Sequence, residues 1–69
     1  MREYDTKILN ESRDWKARGD NFHWDHSDGS FVELDGTQYI LYSKDCARLA
    51  SVRTFAGAVL AHRLLRVDA

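Results

Sequence analysis

The chain has 69 residues, a formal net charge of −1, 43% hydrophobic residues, no proline and a single cysteine, Cys46. That length makes one small domain, read here as residues 1–69, and one cysteine excludes an internal disulfide. No apolar run follows Arg2, and Cys46 to Leu65 carries Arg48, Arg53, His62 and Arg63, so neither a secretory signal nor a membrane span is expected. The expected setting is a reducing cytoplasm.

The N-terminal segment places Tyr4, Ile8 and Trp15 on one helical stripe. Asp5 or Thr6 serves as cap and Gly19 as stop, which predicts a helix over about Thr6–Arg18. A strand through Tyr4, Thr6 and Ile8 is the rival reading.

Three strands follow, at about Asn21–His26, Ser30–Leu34 and Thr37–Ser43. They are separated by the turn signals Ser27-Asp28-Gly29 and Asp35-Gly36. With Asp35-Gly36 as a two-residue loop, Leu34 faces Thr37, Val32 faces Tyr39 and Phe31 faces Ile40. Phe22, Trp24, Val32, Leu34, Tyr39 and Leu41 then share one face, expected to be the core. His23, Asp25, Phe31, Glu33, Gln38, Ile40 and Tyr42 share the other.

Ser43 reads as an N-cap and Asp45 suits a helix N-terminus, so the remaining stretch predicts one long helix to about Arg66. Its large residues Leu49, Val52, Ala56, Val59 and Leu60 form one stripe. Ala47, Ala50, Thr54, Ala58, Ala61 and Leu65 form a second, small-residue stripe roughly opposite. An apolar stripe left over after the sheet is covered implies a second copy, so those six residues are the expected homodimer interface. The predicted fold class is α+β, in the order α-β-β-β-α, with a three-stranded antiparallel sheet packed against a long C-terminal helix.

Charge is uneven along the chain. Residues 1–18 sum to +1, residues 44–69 to +3, and residues 19–43 to −5, from Asp20, Asp25, Asp28, Glu33 and Asp35 with no base among them. An anionic block of this kind attracts basic grooves, including those of nucleic-acid-binding complexes, and it also keeps a small protein soluble.

His23, Asp25 and Glu33 converge on the non-core face, but their spacing matches no metal signature, and a solvated polar face is the expected reading. Cys46 near a helix start reads more readily as a small buried hydrophobe than as a reactive thiol. There is no phosphate loop, nucleophile elbow or Cys/His spacing, so neither enzymatic activity nor a cofactor is expected. Phe31, Ile40 and Tyr42 among His23, Asp25 and Glu33 form the mix of aromatic anchors and polar groups found at protein-binding sites, and the equal alternative is that the N-terminal helix covers this face with Tyr4, Ile8 and Trp15.

The order α-β-β-β-α in about 70 residues resembles the double-stranded RNA-binding domain. That family opens its second helix with Lys-Lys-x-Ala-Lys, and Ser43-Lys44-Asp45-Cys46-Ala47-Arg48 supplies Lys44, Ala47 and Arg48 at matching places, with Asp45 interrupting the run. The resemblance implies phosphate contacts from Lys44 and Arg48, with Arg53 beside them. Size and architecture are also similar to those of phage-encoded accessory inhibitors, among them anti-CRISPR proteins. The leading expectation is a non-enzymatic inhibitor that binds a protein partner through its acidic, aromatic sheet face. The alternative is a nucleic-acid-binding or regulatory module.

Overall fold

The computed structural model describes residues 13–67. Among the described residues five strands, β1 (Trp15–Ala17), β2 (His23–His26), β3 (Phe31–Asp35), β4 (Gln38–Tyr42) and β5 (Arg48–Val52), precede one helix, α1 (Phe55–Val67). The strands form an antiparallel meander in the spatial order β1-β2-β3-β4-β5. The α+β class stands, but the three-stranded sheet and the α-β-β-β-α order do not.

Two segments depart from expectation. Trp15–Ala17 pairs with β2, with Trp15 opposite His26, Lys16 opposite Asp25 and Ala17 opposite Trp24. This pairing makes Trp15–Ala17 an edge strand with Trp15 buried, so the predicted helix does not extend through these residues. Arg13 and Asp14 form a turn, and the part of the predicted helix before them, with Tyr4 and Ile8, lies outside the described residues.

The second departure is larger. Ser43 does cap backbone amides, but those of a turn: its Oγ accepts from the amides of Asp45 (3.3 Å) and Ala47 (3.1 Å). Cys46 takes a positive φ of 67°, which ends any helical path there. The chain then returns as β5 alongside β4, overriding the helical propensity of Arg48, Leu49 and Ala50. The helix starts only after Thr54, whose Oγ1 accepts from the Gly57 amide at 2.9 Å as an N-cap.

The β3–β4 turn also lies one residue later than expected. Asp35 pairs with Gln38, so Gly36 and Thr37 form the loop and Gly36 takes its φ of +62°. Val32 therefore faces Leu41, and Phe31 faces Tyr42. Pairing has moved by two residues, an even step, so the strand residues keep the faces read from the sequence, but Phe22, expected in the core, precedes β2 and is 54% exposed.

α1 packs on the face carrying Trp15, Trp24, Val32, Tyr39, Leu41, Ala50 and Val52. Ala58 and Val59 are fully buried there, and Phe55 meets Trp15, Trp24 and Tyr39 in edge or tilted ring contacts. The expected helical small-residue stripe is thereby dissolved. Ala47 lies in a turn, Ala50 in β5 and Thr54 at the cap, while Ala58 is 0% exposed against the sheet. Ala61 is partly buried against the core and Leu65 is exposed.

The double-stranded RNA-binding order loses its support with these corrections, since Lys44, Ala47 and Arg48 do not open a helix. No helix among the described residues is long and apolar enough to cross a membrane.

Candidate functional sites on two faces of the sheet

The face opposite α1 gathers the residues read from the sequence. His23 stands across from Glu33, and Asp25 across from Phe31. Phe31 and Tyr42 stack with ring centroids 4.9 Å apart and planes 16° apart, and the Arg18 guanidinium lies 5.5 Å from the Phe31 centroid. Both rings are partly exposed. Ile40 is on this face by register yet only 4% exposed, so it underlies the surface and does not itself offer a contact.

Charge on this face is paired. Arg18 grips Asp25 through Nε (2.9 Å) and an Nη nitrogen (2.6 Å), a bidentate clamp from the start of the β1–β2 loop onto β2. It holds the Asp25 carboxyl below its usual range, while Asp25 in turn raises Arg18. His23 lies between two carboxylates, with Nδ1 at 2.5 Å from Asp20 and Nε2 at 3.0 Å from Glu33. Asp20 foremost, then Glu33, raises the His23 pKa. The Phe22 amide, then the His23 ring, brings Asp20 down to about 2.

The anionic block is consequently not a bare acidic surface. Asp20 and Glu33 flank His23, Arg18 holds Asp25, and Asp28 is engaged elsewhere. Sequence counting missed this because Arg18 lies just outside the block and histidines were counted as neutral.

The bases proposed for phosphate contact lie on three different segments. Lys44 is in the β4–β5 turn, Arg48 opens β5 opposite Tyr42, and Arg53 precedes the α1 cap. Cys46 is exposed in the same turn as Lys44, contrary to the buried position expected of it.

A second constellation lies under the helix side, and sequence reasoning did not assemble it. His26 ends β2 facing inward, Asp28 follows in the turn, and His62 reaches them from α1. Both imidazoles are buried, and their ring centroids are 4.4 Å apart. Asp28 Oδ2 is 2.7 Å from His62 Nε2, and Asp28 Oδ1 is 3.1 Å from His26 Nδ1.

The turn itself presents this carboxylate. The Ser30 amide donates to Asp28 Oδ1 at 2.8 Å, and Gly29 takes a φ of +96°. Burial works against ionisation of Asp28, but the Ser30 amide and then His62 outweigh it and hold the carboxyl well below its ordinary range.

Trp15 sits edge-on to both imidazoles, with centroids 4.9 and 5.1 Å away, and its buried Nε1 has no hydrogen-bond partner among the described residues. Beside the cluster a cavity of about 440 Å³ is lined by Asp28 and His62 together with Ser43, Lys44, Leu49 and Leu65. Leu49 reaches this rim from the strand irregularity between the Leu41–Ala50 and Tyr42–Arg48 pairs.

No family model, no curated protein and no solved structure matches this chain.

Proposed function

We propose that the protein is a non-enzymatic interaction module that engages a protein partner through the sheet face opposite α1. The observation that carries this reading is the Phe31–Tyr42 stack, with Arg18 against Phe31, on a face that α1 does not cover. Stacked aromatics cost little conformational entropy to immobilise, and a ring of paired charges supplies a polar rim. The partner implied is a protein surface with an apolar centre and mixed charge around it. Bare phosphate fits less well, because Asp20, Asp25 and Glu33 stand beside the aromatic pair. Inhibition of a larger assembly is one use of such a module.

The test is site-specific photo-crosslinking from position 42 in cells of the native host, repeated in a Phe31→Ser/Tyr42→Ser double variant with the crosslinker at position 38. A protein captured from both positions in the wild-type background, and lost in a double variant that keeps its circular dichroism spectrum, supports the reading. Equal capture by the double variant, or no capture from either wild-type position, overturns it. Duplex RNA or DNA that binds at low salt, dissociates steeply as salt rises, and is weakened by Lys44→Ala, Arg48→Ala and Arg53→Ala would establish the nucleic-acid alternative instead.

A further inference from the structure

We propose that His26, Asp28 and His62 form a binding site for a divalent transition-metal ion of the zinc class. One nitrogen from each imidazole and one oxygen of Asp28 all lie within 4.8 Å of one another. Ligands held 2.0–2.2 Å from a tetrahedral metal are roughly 3.3–3.6 Å apart, so closing the triangle needs only small rotations of these side chains.

The polar geometry at His26 adds a specific reason. The Asp28 amide points its hydrogen at His26 Nδ1 (3.1 Å), which gives that nitrogen a lone pair. Yet Asp28 Oδ1, also an acceptor, stands 3.1 Å from the same atom. A proton on Nδ1 would satisfy the carboxylate but oppose the amide hydrogen. Nδ1 has one lone pair, so a cation shared by Nδ1 and Oδ1 takes the place of the amide contact while removing the repulsion between the two acceptors, and His62 Nε2 becomes the third ligand in the tautomer that leaves it without a proton.

Two imidazoles and one carboxylate select borderline metals such as zinc or cobalt over calcium and magnesium, which prefer oxygen alone. Asp28 and His62 also line the adjacent cavity, so the remaining coordination position faces space that a water molecule or a small anion can fill. A metal here ties the β2–β3 turn to α1 across 34 residues of sequence, a useful link in a domain whose fully buried core is a handful of side chains.

The experiment uses the full chain, stripped with chelator, with Zn²⁺, Co²⁺, Mg²⁺ and Ca²⁺ as probes. Expected are micromolar or tighter Zn²⁺ binding by calorimetry and visible absorption of a low-symmetry Co²⁺ site. Melting temperature should rise by roughly 10 °C at a hundredfold excess of Zn²⁺ over Kd. Mg²⁺ and Ca²⁺ should give none of these effects.

His62→Gln tests the buried ligand, and Asp28→Asn, at an exposed turn, carries the test if the former fails to fold. The site stands if Asp28→Asn weakens Zn²⁺ binding at least tenfold while His23→Gln leaves it unchanged. It is overturned if no Zn²⁺ binds at 100-micromolar order, if Asp28→Asn costs less than tenfold, or if the effect follows His23. None of these outcomes bears on partner capture through Phe31 and Tyr42.

Discussion

His23 shows how a single side chain couples this surface to pH. Its ring touches Asp20 in the β1–β2 loop and Glu33 on β3, with Arg18, just after β1, opposing its charge from farther off. The two carboxylates raise the His23 pKa above the ordinary value near 6.5, so the protonated ring is favoured in the folded state. A raised folded pKa contributes stability that is fully present below the unfolded value and is lost as pH rises through the folded one. The melting temperature is therefore expected to fall as pH climbs from about 6 through the folded His23 value. His23→Gln should flatten that slope, measured by thermal denaturation across the range. An unchanged slope in the variant would show that the two contacts do not stabilise the fold.

At the scale of elements, turns position everything that the functional readings use. Gly29 carries a φ of +96°, and a Cβ built on it would come within 2.9 Å of the Lys44 Cβ, so the β2–β3 and β4–β5 turns touch at this point. Gly29→Ala is expected to cost about 2 kcal/mol, from left-handed strain plus displacement of Lys44, read as a shift in the urea midpoint at constant slope. Thr54→Ala removes the α1 cap and should cost about 1 kcal/mol by the same measurement.

These turns also mark what was legible in the sequence. Asp28-Gly29 and Asp35-Gly36 located β2, β3 and β4 because glycine and aspartate serve a turn through local chemistry alone. β5 was not legible, since Arg48, Leu49 and Ala50 favour a helix locally and only pairing with β4 makes them a strand. β1 was hidden because Trp15 continues a helical spacing with Tyr4 and Ile8. The pairing of His23 with Glu33 followed from strand parity. The cluster of His26, Asp28 and His62 did not, because the face on which His62 lies depends on α1 starting at Phe55 rather than near Ser43.

For the molecule as a whole, the central question is where the apolar surface of the C-terminal third goes. A continuous helix from Ser43 would have left a second stripe for a neighbouring copy, but the turn at Cys46 and the return as β5 use Ala50 and Val52 to extend the inner face of the sheet. Ala58 then has no access to solvent, and Val59 is equally enclosed. Placing a carboxylate at either position requires an ion without a counter-charge in a core centred on Trp15, Val32 and Leu41. Ala58→Asp and Val59→Asp are thus both expected to destabilise by about 3 kcal/mol or more, which for a domain this small leaves little folded protein at 37 °C. Denaturant titration with sedimentation checks this directly. A folded, soluble Ala58→Asp protein that differed from wild type only in sedimenting as a smaller species would restore the two-sided helix and contradict the packing of α1 against the sheet. Loss of the cooperative transition in both variants is the outcome this fold requires.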